Sequence, residues 1–269
     1  MKCPNCKEIY EDNFSFCPHC GTKNEHIVEP EPEILVCFNC GFESTEFSFC
    51  PECGIELLSK SDAKSELIDK ANDERYSANW EEAIECYNKA IELDPFYNDL
   101  WNGKGDCLDS LGKYEEAIKC YNKAIELDPT DKYSWSMKAH RLFNLERWEE
   151  AVDCYSKAIE CYDPYPLFNG SPEWSTKGQC LEKLGKYEEA IECYEQAIIL
   201  NPSDIYWNRK ADCLYCLERI EDALKCYNRA IELDSTNADY WFSKGCCLSE
   251  LGRDNEAKKC YDKYDFLKD

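Results

Sequence analysis

Of the 269 residues, 21 are cysteine, and the first eight fall into two blocks of one design. Residues 3–20 read Cys-x2-Cys-x10-Cys-x2-Cys, and residues 37–53 read Cys-x2-Cys-x9-Cys-x2-Cys. A Cys-x2-Cys turn presents two sulfurs to one ion while backbone amides hydrogen-bond to them, and two such turns close a tetrahedral site. Four thiolates saturate the ion and leave no position for water or substrate, so the metal these blocks would hold is structural. His19 lies inside CPHC, where the shell is already complete, and reads as a spacer. A segment of roughly 20 residues cannot bury enough apolar surface to fold unaided. Metal binding, worth on the order of 10–16 kcal/mol for structural zinc, then supplies most of its folding energy.

The turns CPNC, CPHCG, CFNCG and CPECG resemble those of tandem zinc ribbons over residues 1 to about 56. That resemblance implies a first ion held by Cys3, Cys6, Cys17 and Cys20 and a second by Cys37, Cys40, Cys50 and Cys53. Lys7 departs from the pattern, standing where the other turns have Gly21, Gly41 and Gly54. The implied cofactors are two Zn2+; iron is the alternative, because four thiolates in such turns also suit a rubredoxin-like centre. The domain reading is ribbon 1 over 1–24, an acidic spacer with Pro30 and Pro32 over 25–34, and ribbon 2 over 35–58.

The remaining chain repeats itself. CYNKAIELDP occurs at 86–95 and again at 120–129. Aligned on this stretch, six units have heads at Leu67, Trp101, Trp135, Trp174, Trp207 and Trp241, separated by 34, 34, 39, 33 and 34 residues. A period near 34 marks a helical hairpin. The first helix carries W-x2-K-[GA]-x2-L in the second to sixth copies, a Leu-Gly-Lys-Tyr turn follows in the clearest copies, and the second helix reads YEEAIKCYNKAIELDP. Its apolar stripe is Ala117, Ile118, Tyr121, Ala124, Ile125 and Leu127, with Pro129 as stop.

These units resemble tetratricopeptide repeats from residue 64 to about 265, with Gly105 or Ala139 and Ala117 and Ala124 at the small positions where helices cross. The fold class expected is mainly all-α: a superhelical solenoid of about six hairpins over 64–269, preceded by two small β-rich ribbons. The units are placed at about 64–97, 98–131, 132–165, 171–203, 204–237 and 238–269. The first unit, with Leu67 for Trp, and the last, with Tyr264 for Ala, read as terminal caps. Five extra residues around DPYPLFNGSP read as an insertion whose Tyr165, Leu167 and Phe168 offer exposed apolar surface.

Cysteine precedes the second-helix Tyr in every unit, at Cys86, Cys120, Cys154, Cys193, Cys226 and Cys260, and recurs six residues after the Trp at Cys107, Cys180, Cys213 and Cys247. Helix packing holds successive copies about 8–10 Å apart, too far for disulfides, whose Cα atoms lie within about 7 Å. Periodic cysteine therefore reads as soft packing.

The tetratricopeptide resemblance implies a groove lined by first helices that binds a segment of another protein. Its lining places include Asn102, Asp106, His140, Asn144, Gln179, Arg209, Asp212 and Tyr215. Capture of an acidic chaperone tail requires Lys just after the Trp place; Ile68, Asn102, Ser136, Ser175, Asn208 and Phe242 stand there, so a neutral or basic segment is the expected partner. Three histidines, no phosphate-cradling Gly-rich loop and no nucleophile with a recognisable base argue against an enzyme. The net charge is −24, with 4 Lys+Arg against 11 Asp+Glu in residues 1–60 and 27 against 44 in the rest. Both parts repel nucleic-acid phosphate and anionic lipid. The reading is a cytoplasmic scaffold whose ribbons are docking modules; the alternative is ribbon-mediated association with nucleic acid or the transcription and translation machinery. No apolar run reaches the roughly 18 residues needed to span a bilayer.

Overall fold

The computed structural model describes residues 34–37, 39–45, 48–161 and 170–268. The first ribbon, the 25–33 stretch and the Tyr165, Leu167 and Phe168 loop lie outside the described residues. The chain divides into two compact units, residues 1–70 and 71–269.

In the first unit three two-residue strands form a sheet in the order β2-β1-β3: β1 (Leu35–Val36), β2 (Glu43–Ser44) and β3 (Leu58–Ser59). Both pairings are antiparallel, with Leu35 opposite Ser44 and Ser59, and Val36 opposite Glu43 and Leu58. The core beneath is Cys37, Cys50 and Leu57, flanked by Leu35, Phe42 and Ile55. With so few apolar groups buried, this sheet depends on what its cysteines hold.

Twelve helices follow among the described residues. They are α1 (Lys60–Tyr76), α2 (Trp80–Leu93), α3 (Asn98–Ser110), α4 (Tyr114–Leu127), α5 (Lys132–Asn144) and α6 (Trp148–Glu160), then α7 (Ser171–Lys183), α8 (Tyr187–Leu200), α9 (Asp204–Cys216), α10 (Ile220–Leu233), α11 (Ala238–Glu250) and α12 (Asp254–Lys268). In the second unit each packs on its neighbours in sequence, so the repeats stack as hairpins.

The repeated letters explain the repeated geometry. Within a hairpin the second-helix tyrosine lies against the small residue four places after the Trp. A Cβ built on Gly105 would meet the Tyr121 ring at 2.7 Å, and one on Gly245 would meet Tyr261 at 2.5 Å. The turn between helices needs one residue with positive φ. Gly112, Gly185 and Gly252 supply it at 71°, 71° and 70°, but Ala78, Glu146 and Glu218 adopt it at 59°, 59° and 57°. The packing of both helices imposes the left-handed turn whatever residue sits there, so only half of these turns announce themselves by glycine. Paired acids such as Glu115 and Glu116 sit in the first turn of the second helices, where they suit the helix dipole.

Tryptophan closes the joints between hairpins. The Trp101, Trp135 and Trp241 indoles donate to the carbonyls of Pro95, Pro129 and Ser235 at 3.1, 3.0 and 3.1 Å. The lysine three residues on lies over each ring at 5.3 to 5.8 Å from its centroid, as Lys138 does over Trp135 and Lys104 over Trp101.

Candidate metal centre and interaction groove

In the second ribbon the two Cys-x2-Cys turns face each other. Gly41 and Gly54 at φ 79° and 72° let each turn close, with their amides donating to the Cys37 and Cys50 carbonyls at 2.8 Å. The Cys37 amide donates to Phe42 O at 2.8 Å and the Cys50 amide to Ile55 O at 2.7 Å. The four sulfurs of Cys37, Cys40, Cys50 and Cys53 lie within 4.8 Å of one another. Individual separations are 3.4 Å for Cys37–Cys53, 3.4 Å for Cys40–Cys50 and 4.0 Å for Cys40–Cys53. A tetrahedral zinc with Zn–S near 2.3 Å places its sulfurs about 3.8 Å apart, so this donor set fits the ion. Cys37 and Cys50 are buried at the root of the turns, and Cys40 and Cys53 are exposed at their tips.

The electrostatics point the same way. Burial raises the Cys37 thiol, yet hydrogen bonds from the Cys40 and Asn39 amides outweigh it and bring it down to about 7. At Cys40 the Phe42 amide favours the thiolate, but the hydrogen bond with Cys50, burial and the other cysteines together push it up to about 12. Sulfurs this close cannot all be charged without a cation among them, and a dication deprotonates the set outright. Cys3, Cys6, Cys17, Cys20 and His19 lie outside the described residues.

The expected groove residues fall into two kinds. Asn102, Asp106 and Asp212 are engaged within and between hairpins. Asn102 is 6 % exposed, donates to Asp131 Oδ2 at 2.8 Å and accepts from Ser134 at 2.8 Å. Asp106 accepts from Tyr121 at 3.0 Å, Tyr133 at 2.8 Å and Arg75 at 3.2 Å, joining three successive hairpins. Burial raises its carboxyl above the ordinary aspartate value, with the two tyrosines and Arg75 opposing the rise. Asp212 accepts from Tyr227 at 2.6 Å and Asn208 at 3.1 Å, and burial raises it likewise. By contrast His140 and Asn144 are exposed, Gln179 and Tyr215 are half-buried, and Arg209 stands 3.7 Å from Glu182.

Sequence reasoning missed the residues that tie neighbouring hairpins together. These are Arg75, Tyr133, the Asp109–Arg141 ion pair, Glu182, and Asp204 accepting from Tyr240 at 2.7 Å. A signal was present: Asn72 with Tyr87, Asp106 with Tyr121 and Asp212 with Tyr227 are each fifteen residues apart and hydrogen-bonded. The Tyr–Asp and Asp–Arg ties between units have no such fixed spacing.

The buried hairpin cysteines behave as packing. Cys86, Cys120, Cys154, Cys193, Cys226 and Cys260 are buried, as are Cys107, Cys180, Cys213 and Cys247. Burial pushes the Cys107 and Cys193 thiols up to about 11 and Cys180 and Cys247 up to about 12. They are protonated and unreactive at neutral pH.

Comparison with known proteins agrees with both halves. A tetratricopeptide-repeat model matches residues 99–131, 171–204 and 205–237, and two further tetratricopeptide-repeat models match 226–259 and 79–97. A double zinc ribbon model matches residues 3–56. An uncharacterized protein of Methanocaldococcus jannaschii is 56% identical over 34 residues, 13% of this chain and 40% of that protein. The chain thus spans well under half the length of that curated relative. Among solved structures, YrrB, a TPR protein with an unusual peptide-binding site, is 22% identical with a TM-score of 0.60, covering 68% of this chain and 93% of its own. MamA is 20% identical with a TM-score of 0.60, covering 67% and 96%. PilF of Pseudomonas aeruginosa is 20% identical with a TM-score of 0.57, covering 75% and 90%. At such identities the likeness is one of fold. The chain carries several tetratricopeptide repeats behind an N-terminal double zinc ribbon.

Proposed function

We propose that this chain is a non-enzymatic, cytoplasmic adaptor in which the face of the first helices binds a neutral or basic segment of another protein. The stacked repeats carry this reading: successive first helices put side chains at one register, giving a row of contact places for an extended or helical segment. The peptide-binding site of YrrB, on a like fold, supports it. His140, Asn144, Gln179, Arg209 and Tyr215 are the contact residues, because the structure leaves them accessible. Asn102 and Asp106 tie neighbouring hairpins and Asp212 ties the two helices of its own, and all three act on the partner through that spacing. The two ribbons, at 1–24 and 35–58, each hold one structural zinc through their four cysteines and serve as docking modules.

Panning the full chain against a random peptide library tests the groove. Enriched peptides are expected to be neutral or basic and to lose tenfold or more in affinity when His140, Asn144 and Gln179 are changed together to Ala. Enrichment of acidic peptides, or binding indifferent to the triple change, overturns the assignment. Metal analysis of protein purified without chelator is expected to give two zinc ions per chain.

A further inference from the structure

The repeats keep a solvated Lys/Arg–Glu pairing on the second helix; the terminal α12 has Lys263 and Phe266 at these places, and among the internal hairpins α8 departs from it. Lys123 pairs with Glu126 at 2.8 Å, Lys157 with Glu160 at 2.7 Å, and Arg229 with Glu232. Lys89 and Glu92 occupy the same places in α2. In α8 those places hold Gln196 and Ile199, and Ile199 is 72 % exposed. An isoleucine in that position offers solvent a branched apolar side chain where α2, α4, α6 and α10 offer a carboxylate.

The change sits within a wider one. α8 reads YEEAIECYEQAIIL and is the second helix that contains neither Lys nor Arg. At 100° per residue Glu188, Glu192, Glu195 and Ile199 fall on one stripe about 60° wide, and all four are exposed. Glu195 is paired with Lys210 of the next hairpin at 2.8 Å. Among the described residues Glu188, Glu189 and Glu192 have no ion pair. Beside the stripe runs a groove of about 460 Å³ lined by Trp174, Lys177, Glu189, Glu192 and Gln196, with Lys177 over the Trp174 ring at 5.3 Å.

We propose that this face of α8 docks a basic amphipathic segment of a partner protein, with an apolar side chain on Ile199 and Lys or Arg side chains reaching Glu188, Glu189 and Glu192. Charge complementarity selects the occupant: the stripe is apolar at one end and acidic along the rest, and nothing on its own helix neutralises it. A second copy of a chain with net charge −24 would bring like charge to like. The surface is separate from the first-helix groove, so the two stand or fall independently.

The experiment uses the full chain and an 18-residue Leu/Lys amphipathic peptide, with a Leu/Glu peptide of the same pattern as control. Gln196→Lys with Ile199→Glu restores the repeat's own ion pair and leaves the net charge unchanged, so diffuse attraction of the peptide to an acidic protein is held constant. The expected result is binding of the Lys peptide, weakened by salt, and at least a tenfold loss in the double variant. Glu189→Gln with Glu192→Gln, which alters no buried group, is expected to lose at least threefold. Equal affinity in wild type and double variant, no binding of the Lys peptide, or equal binding of the Glu peptide overturns the proposal. Self-association of the wild type that the double variant abolishes assigns the face to a second copy and overturns it too.

Discussion

The ribbon and the hairpins use the same side chain for opposite ends. In the ribbon, cysteines come in pairs three residues apart, so a tight turn brings two sulfurs together and a second turn completes a cluster within 4.8 Å. In the hairpins they recur at the helical repeat, each singly at a crossing, and ten are buried. Crowding makes the ribbon sulfurs need a cation. Isolation in apolar packing makes the hairpin thiols keep their protons, up to about 12 at Cys180 and Cys247. Spacing, rather than residue type, decides whether a thiol is a ligand or a filler.

The largest effect that can break this contrast comes from Cys50→Ser. Structural zinc binding is worth on the order of 10–16 kcal/mol, which a core as small as that around Leu57 cannot replace. The expected outcome is loss of one zinc per chain and of amide protection across residues 34–58, while Cys180→Ser leaves the zinc content unchanged. Zinc content unaltered by Cys50→Ser would dissolve the distinction.

A smaller effect comes from alkaline pH. In the folded hairpins Cys107, Cys180, Cys193 and Cys247 sit above the ordinary value of 9.0, so between pH 9 and about 11 the unfolded chain releases thiol protons that the folded chain retains. Stability from these groups is therefore complete well below pH 9 and falls as pH rises through that window, by about 1.4 kcal/mol per thiol at pH 10. Urea unfolding at pH 8 and pH 10 measures it, and Cys180→Ala is expected to reduce the pH dependence by about one thiol's share.

Much of this was readable in the letters because it rests on local periodicity. The metal turns follow from Cys-x2-Cys spacing, and the hairpins from a 34-residue period with Ala and Gly at the crossings. What stayed hidden rests on contacts between units, where spacing is free. Asp106 reads as a groove residue by its register, yet Arg75 and Tyr133 reach it from the hairpins on either side. Glu146 and Glu218 do not announce a left-handed turn, since the packing of two long helices overrides the residue's own preference. The apolar Ile199 was visible as a letter, but its exposure depends on which face of α8 its neighbours leave open.

The smallest effect sharpens the contrast most, because it separates exposure from function. Cys40, Cys53 and Cys216 are all exposed. Cys216 is exposed and lies outside both hairpin series, so Cys216→Ser is expected to change stability by no more than about 0.5 kcal/mol. Equal access does not mean equal chemistry: a thiolate bound to zinc has its lone pair engaged, whereas Cys216 is free to react. Maleimide added to the zinc-loaded protein is therefore expected to modify Cys216 first, ahead of the half-buried Cys161 and Cys246, with Cys40 and Cys53 spared until a chelator is added. Labelling of Cys40 at the same rate as Cys216 before chelation would show that the exposed ribbon thiols are free, and the metal reading would fail with it.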